Sequence, residues 1–172
     1  MRLVTTRLQM REPGTDDAPL LVSLYGHAEV QKTLPQLEPV TLQRMRETVA
    51  RNAERWEKEG SGMFVVFEKQ AGDFVGCCGH LFWDIDDVHE TEVAYAITPK
   101  HWRKGYATEA ARALKEDAFQ RLDRARVISL VMPGNVGSEK VAQNNGMHVE
   151  KQTVLLARYT VNVWAVSRQL RL

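Results

Sequence analysis

The sequence predicts a mixed α/β domain of the α+β kind, with one mostly antiparallel central sheet of about seven strands and about four flanking helices. Strand-type and helix-type periodicities alternate along the 172 residues without a linker, a repeat or a low-complexity tract. Three strand-like segments follow one another between residues 63 and 98, and the strongest helical period comes after them. We expect a single domain over residues 1–172.

The N-terminal part predicts one strand and two helices. The alternating segment RLQMRE, residues 7–12, is typical of a strand, and Pro13-Gly14 ends it. A helix is expected next, because capping residue types precede leucines that share one helical face: Thr15, Asp16 and Asp17, then Leu20, Leu21 and Leu24. A second helix begins at Thr41 and stops at Gly60, with an apolar stripe of Leu42, Met45, Val49 and Trp56.

The middle of the chain predicts an antiparallel meander. Its strands are MFVVFEK, DFVGCCGHLFW and TEVAYAIT, the first two joined by a turn at QAGD. The acidic segment DIDDVHE, residues 84–90, is expected to be the connection before the third strand. Its acidic residues would suit a cationic amine substrate, or they serve solubility alone: Asp84, Asp86, Asp87 and Glu90.

The C-terminal part predicts a helix, a strand, a short helix and two strands. The first helix runs from about Ala107 to Leu122, with a stripe of mostly small residues that allows close packing on a sheet. The segment RVISLVM predicts a buried strand, and the short helix covers Val136 to Asn144. The segments MHVEKQTVLLA and YTVNVWAVSRQL predict the last two strands, the second reaching Leu170.

Composition excludes several classes of function. A net charge of +1 gives no reason to expect a nucleic-acid partner. No apolar run approaches the ~20 residues of a membrane span. The N-terminus lacks an apolar secretory core, so we expect a cytoplasmic protein without a membrane partner. The adjacent Cys77 and Cys78 point to opposite faces of a strand, and no cysteine or histidine spacing suits a metal site.

The segment HWRKGYATEA, residues 101–110, puts Arg103 and Lys104 directly before a helix, where the helix dipole disfavours cations. A bound anion would make the arrangement favourable, because a glycine-containing loop and free helix amides form an anion site. The alternative is that the cations only solvate a surface loop. The P-loop pattern is absent, and Gly105 is the single glycine where a dinucleotide fingerprint needs several.

The segment RKGYATEA resembles the acyl-CoA pyrophosphate motif [QR]-x-x-G-x-[GA] of the GNAT superfamily of N-acetyltransferases. Trp102 occupies the first position of that motif. The longer YAITPKHWRKGYATEA is similar to the branch that includes the ribosomal-protein N-terminal acetyltransferases, in which tryptophan is usual there. The resemblance continues through TRLQMRE, TEVAYAI, PGNVGSEKVAQNNGM and VWAVSRQ. It implies a GNAT-like fold, whose N-terminal helices select the substrate.

The resemblance implies acetyl-CoA as co-substrate, without a metal. The implied pyrophosphate loop consists of Arg103, Lys104, Gly105, Tyr106, Ala107 and Thr108, acting mainly through main-chain amides. The strand residues implied to hydrogen-bond the pantetheine arm are Ala96, Ile97 and Thr98. Asn135 and Ser138 match an N-x-x-S element that contacts pantetheine and sulfur, although helix capping alone also explains them.

The expected catalytic residues are Ser138, Glu92 and Asn135. Many members of the superfamily carry a tyrosine general acid where this chain has Ala142, so Ser138 is expected to stabilise or protonate the leaving thiolate. Glu92 matches the acidic position of an E-[IV]-[GA]-Y strand and is a candidate base through water; a structural carboxylate is the alternative. His80 and Tyr95 are further candidates. No Cys–His or Ser–His pattern suggests a covalent route.

The expected function is transfer of an acetyl group to a primary amine by direct attack in a ternary complex. The amine is either a protein N-terminal α-amine or a small molecule. A non-catalytic acyl-CoA-binding module is the main alternative, and a nucleotide-binding module is another. Monomer and homodimer both stay open.

Overall fold

The structure, a computed structural model, describes residues 1–35 and 39–169. The described residues form one eight-stranded sheet in the order β1-β2-β3-β4-β5-β6-β8-β7, where β5 and β6 are parallel and the other neighbours are antiparallel. The strands are β1 (Arg2–Val4), β2 (Leu8–Arg11), β3 (Met63–Glu68), β4 (Phe74–Ile85), β5 (Val88–Ile97), β6 (Arg126–Val131), β7 (His148–Leu155) and β8 (Tyr159–Ser167). The helices are α1 (Ala18–Tyr25), α2 (Ala28–Gln31), α3 (Leu42–Glu59), α4 (Tyr106–Gln120) and α5 (Val136–Asn144).

The predicted fold class is confirmed, with more strands than expected. The additional strand is β1, which is only three residues long and therefore shows no alternation of its own. The prediction that residues 84–90 form a connection is wrong, because β4 continues to Ile85 and β5 begins at Val88. Their turn lies at Asp86 and Asp87, with φ of 49° and 63°, the conformation of a two-residue hairpin. The end of the predicted last strand, Leu170, lies outside the described residues.

The helices begin where local capping predicts, with one difference. Thr41 Oγ1 accepts a hydrogen bond from the Arg44 amide at 3.2 Å, and Gly60 ends α3 with φ of 70°. The first predicted helix is divided into a 3-10 turn at Thr15–Asp17, then α1 and α2. The described residues therefore contain five α-helices where about four were expected.

Helices cover both faces of the sheet. On one face, α4 packs through Ala110, Ala111 and Leu114, all nearly inaccessible to solvent, in a cluster that includes Cys78. On the other face, α1 and α3 pack in a cluster that includes Cys77. The two adjacent cysteines thus face opposite layers, are buried and free, and are accounted for as small packing residues.

Candidate active site

The sheet is interrupted between its two parallel strands. Glu92 opposite Ile128 is the single register position at which β5 and β6 pair among the described residues. Beyond it, side chains replace the ladder: Ser129 Oγ donates to the Val93 carbonyl at 2.7 Å, and the Leu130 amide donates to Glu92 Oε1 at 3.2 Å. The strands therefore separate toward their carboxyl ends, and α4 and α5 begin on either side of the gap.

A cavity of about 630 Å³ reaches this gap from the side of the sheet that carries α1 and α3. It is lined by strand residues on both sides of the gap and by α3. Of the candidate residues predicted from the sequence, five line it: Glu92, Tyr95, Ala96, Asn135 and Ser138. This volume suits a small-molecule ligand or the terminal residues of a peptide.

Glu92 is a buried carboxyl group in the cavity wall, with 7% of its surface exposed. Its Oε2 accepts a hydrogen bond from Trp83 Nε1 at 2.6 Å, and its Oε1 accepts that of the Leu130 amide. Burial raises the pKa of Glu92 to about 7 from an ordinary 4.5, although both hydrogen bonds lower it. A carboxyl with this pKa accepts and releases a proton near neutral pH.

The loop before α4 leaves a series of main-chain amides without partners. None of the amides of residues 103–108 donates a hydrogen bond within residues 1–35 and 39–169. Gly105 is the N-cap with φ of 81°, and Arg103 has φ of 60°, so the loop follows a left-handed path that glycine favours. The side chains of Arg103 and Lys104 are exposed and form no ion pair in the same ranges. Free amides and unpaired cations together make an anion site.

Two residues that sequence reasoning did not single out hold this loop in place. Arg7 donates to the Lys104 carbonyl at 2.8 Å and to Glu109 Oε2 at 2.6 Å, and its guanidinium lies 4.6 Å from the centre of the Tyr106 ring. Glu109 also accepts from the Thr5 hydroxyl at 2.6 Å. The acidic residue in the first turn of α4 was the available signal, because such a position favours a carboxylate.

The three strand residues predicted to hold a pantetheine arm differ in where their amides point. The Val93 carbonyl faces β6, so by strand alternation the amides of Tyr95 and Ile97 face the gap as well. The Thr98 amide donates to the Val75 carbonyl of β4 at 2.9 Å. The amide of Ala96, which lies between Tyr95 and Ile97 in the chain, faces Cys77 of β4 by the same alternation. Of the three, Ile97 alone presents its amide to the gap.

Asn135 caps α5, and both the oxygen and the nitrogen of its side-chain amide form hydrogen bonds within the protein. Its Oδ1 accepts from the Ser138 amide at 3.2 Å, and its Nδ2 donates to the Thr33 carbonyl at 3.1 Å. The Ser138 hydroxyl has no partner in the described part of the chain and lines the cavity. Tyr95 spans the gap, since its hydroxyl donates to the Ser138 carbonyl at 3.0 Å.

The remaining candidates lie elsewhere. His80 is completely buried and bonded to Ser61 Oγ at 2.7 Å and to the Leu114 carbonyl at 3.0 Å. The acidic residues at 84–90 do not line the cavity. Asp84 contacts His89, Asp86 contacts Lys151, and Glu90 contacts Arg126.

Known proteins show the same fold and sequence pattern. The sequence profile of the acetyltransferase (GNAT) domain matches residues 7–148. The chain belongs to this family. It is 31% identical over 151 residues to the uncharacterized protein YkkB of Bacillus subtilis (strain 168), covering 87% of each chain. It is 30% identical over 166 residues to an FsC-acetyl coenzyme A-N(2)-transacetylase of Aspergillus fumigatus, covering 86% of this chain and 66% of the relative.

A solved structure of a putative ribosomal-protein-serine acetyltransferase from Vibrio cholerae superposes with a TM-score of 0.81 and 25% identity, covering 98% of each chain. The resemblance to the family and to its ribosomal-protein branch is therefore confirmed, and the chain is an acetyl-CoA-dependent acetyltransferase. No helix within residues 1–35 and 39–169 is long and apolar enough to cross a membrane.

Proposed function

We propose that this GNAT acetyltransferase transfers the acetyl group to a primary amine by direct attack in a ternary complex, with Glu92 as the general base. The single observation that carries the proposal is Glu92 itself: a carboxyl with a pKa of about 7, in the wall of a cavity, where two parallel strands separate. An amine with a pKa near ~10 is protonated at neutral pH, so it needs a proton acceptor at the site of attack.

The pyrophosphate of acetyl-CoA is proposed to bind at the start of α4. The residues fit, because the unpartnered amides of 103–108 offer donors, Arg103 and Lys104 offer charge, and Gly105 adds no side chain. Acetyl-CoA supplies the activated acetyl thioester. The amides of Tyr95 and Ile97 are proposed to hold its arm along the edge of β5, as an added strand would be held. Of these, the Tyr95 amide is closer along β5 to Glu92 and is proposed to stabilise negative charge on the thioester oxygen.

The start of α5 is proposed to serve the leaving group. The Ser138 hydroxyl, which has no partner in the described residues, is proposed to donate a hydrogen bond to the sulfur as it leaves. Asn135 is proposed to act as a positioning residue, because its side-chain amide is bound within the protein at both ends. The Trp83 indole positions the Glu92 carboxyl.

The test is release of CoA thiol over a panel of amines and N-terminal peptides, with wild type and Glu92→Gln. Wild type is expected to turn over at least one amine, with a rate that rises through about pH 7 as Glu92 ionises. Glu92→Gln is expected to lower kcat by about 100-fold or more, with little change in acetyl-CoA affinity. The conservative variant Glu57→Gln, on the exposed face of α3, is the control.

Tight binding of acetyl-CoA without turnover of any amine would favour the non-catalytic acyl-CoA-binding module. Unchanged kcat and an unchanged pH profile in Glu92→Gln would assign this carboxyl a structural role instead.

A further inference from the structure

The cavity contains cationic side chains opposite Glu92. Arg51 and Arg55, both on α3, line it together with Glu92, and no other charged residue does so within the described part of the chain. Arg55 is half-buried, yet its closest hydrogen-bond partner is the neutral Asn52 Oδ1, at a long 3.4 Å from Nη1. A guanidinium removed from water needs an anionic partner to offset its desolvation.

The carboxylate that acts on Arg55 is engaged with other cations. Glu59 is the one that acts on Arg55 electrostatically, and it contacts His89 at 3.4 Å and Arg124 at 3.6 Å. Burial has the largest effect on the pKa of the Arg55 guanidinium and lowers it. The positive charge of Arg51 lowers this pKa further, whereas Glu59 raises it. Arg55 forms no ion pair within residues 1–35 and 39–169.

The packing of α3 sets Arg55 level with Glu92 along the strands. Met45 and Val49 pack in the cluster that contains Val65, and one turn later Asn52 Oδ1 accepts from the Met63 amide at 2.7 Å, so α3 runs antiparallel to β3. Residues after Asn52 therefore lie over the part of the sheet that precedes Met63. Met63 is opposite Gly79, and Leu81, two residues further along β4, is opposite Glu92.

The lateral separation is short. Two strand spacings, roughly 10 Å, separate β3 from β5, and an arginine side chain spans much of that distance. Leu81 and Trp83, which lie between the two strands on β4, line the same cavity. Glu92 and Arg55 both line this cavity, so a small molecule with its amine at Glu92 can extend to Arg55.

We propose that Arg55 binds an anionic group of the acetyl acceptor, a carboxylate or a phosphate, a few bonds from the amine that is acetylated. This inference rests on the proposed function, with the amine at Glu92. The acceptor is then an acidic amine: an amino acid, an amino phosphate, or a peptide with an acidic residue near its N-terminus. Arginine suits this role because its planar donors bind both oxygens of such a group.

The experiment compares matched acceptors in wild type, Arg55→Met, Arg55→Lys and Arg46→Met. The pairs are 3-aminopropanoate with 3-aminopropanamide, 4-aminobutanoate with its amide, phosphoethanolamine with ethanolamine, and the peptides Ser-Asp-Ala and Ser-Asn-Ala with amidated C-termini. Arg46 is an exposed arginine of the same helix that does not line the cavity. The selectivity of each enzyme is the ratio of kcat/KM within a pair, so comparing enzymes cancels differences in amine reactivity.

We expect wild type to prefer the anionic member of at least one pair by about tenfold or more. Arg55→Met should reduce that ratio close to one, Arg55→Lys should retain part of it, and Arg46→Met should leave it unchanged. The pair that responds distinguishes carboxylate from phosphate. Thermal unfolding and acetyl-CoA affinity of each variant verify the fold.

The inference is overturned if neutral members are acetylated as well as anionic ones, or if Arg55→Met leaves every ratio unchanged while turnover persists. Absence of thiol release with every amine, despite acetyl-CoA binding, is a different result. It overturns the proposed function and this inference with it.

Discussion

The starts of α4 and α5 lie on the two sides of the same gap, and they treat their free amides in opposite ways. At α5, Asn135 supplies its own side-chain oxygen to the Ser138 amide. At α4, Gly105 has no side chain to supply, and the amides of residues 103–108 stay without acceptors in the described part of the chain. One helix start is completed from within the protein, whereas the other keeps its amides available to a ligand.

The charged residues at the two helix starts also differ. Each helix has one acidic residue in its first turn, Glu109 in α4 and Glu139 in α5, but Glu109 is paired with Arg7. Arg103 and Lys104 precede α4 without an ion pair in the ranges described, whereas no cation stands in the Pro133-Gly134-Asn135 segment before α5. Cations at a helix start cost stability unless an anion offsets them. The difference teaches that a missing cap together with unfavourable charge favours a phosphate site at α4, whereas the capped start of α5 keeps its amides for the protein and offers a ligand the Ser138 hydroxyl.

The largest effect is expected from an acidic side chain at the start of α4. Gly105→Glu should weaken acetyl-CoA binding by at least about 100-fold, because it places bulk and negative charge where phosphate is proposed to bind. Gly137→Glu makes the same change in the first turn of α5, where a Cβ would meet nothing closer than 3.7 Å. Isothermal titration with CoA should show a large loss for the first variant and almost none for the second. Equal losses of CoA affinity in the two variants would contradict the proposal that the start of α4, and not that of α5, binds the phosphates.

The next largest effect is expected from Glu92, at the gap between β5 and β6. Its pKa is about 7 in the folded state against an ordinary 4.5, so the folded protein holds a proton that the unfolded chain releases. Stability is therefore lost as the pH rises from about 4.5 to 7, by on the order of 3 kcal/mol in total.

Glu92→Gln removes this dependence. The free energy of unfolding of the variant, measured relative to wild type by urea denaturation, should rise by roughly that amount between pH 4.5 and pH 8. Glu57→Gln on the exposed surface of α3 should show no such change. A relative stability that is independent of pH would mean that Glu92 is not held protonated by burial.

A smaller effect is expected from the cap of α5. Asn135→Ala should lower the free energy of unfolding by about 1–2 kcal/mol, because the Ser138 amide loses its acceptor and Thr33 loses a donor. The affinity for CoA should change little. Asn135→Asp is the matched variant: it keeps the capping oxygen and recovers the part of the stability that the cap provides. A large loss of CoA affinity in Asn135→Ala would instead make Asn135 a ligand contact.

The smallest effect is expected from the two cations before α4. Arg103→Ala and Lys104→Ala should each weaken CoA binding by about 3- to 10-fold at low salt, and less at high salt because exposed charges are screened. Their thermal stability should equal or slightly exceed that of wild type, since an unfavourable interaction with the helix dipole is removed. Arg46→Ala on α3 serves as the control, and a loss of stability in either loop variant would contradict the comparison.

Local sequence determined much of this protein. The caps at Thr41 and Gly60, the short helix Val136–Asn144 and the loop before α4 depend on residues only a few positions apart, so periodicity and capping chemistry predict them. The order of strands and helices followed from the same local signals. The three-residue β1 was missed because it is too short to show a period, and the extent of β4 and β5 was missed because charged residues continue both strands.

Only the tertiary structure decided which of these residues meet. The separation of β5 and β6 comes from side chains that replace main-chain bonds, with Glu92 reaching Leu130 and Ser129 reaching Val93. Arg7 holds a loop 97 positions away, and Asn135 contacts Thr33 across 102. Such distant contacts also bury the Glu92 carboxyl and place Arg55 in the same cavity. The sequence names the residues able to do the chemistry, and packing determines their pKa values and their partners, because desolvation is a property of the assembled core.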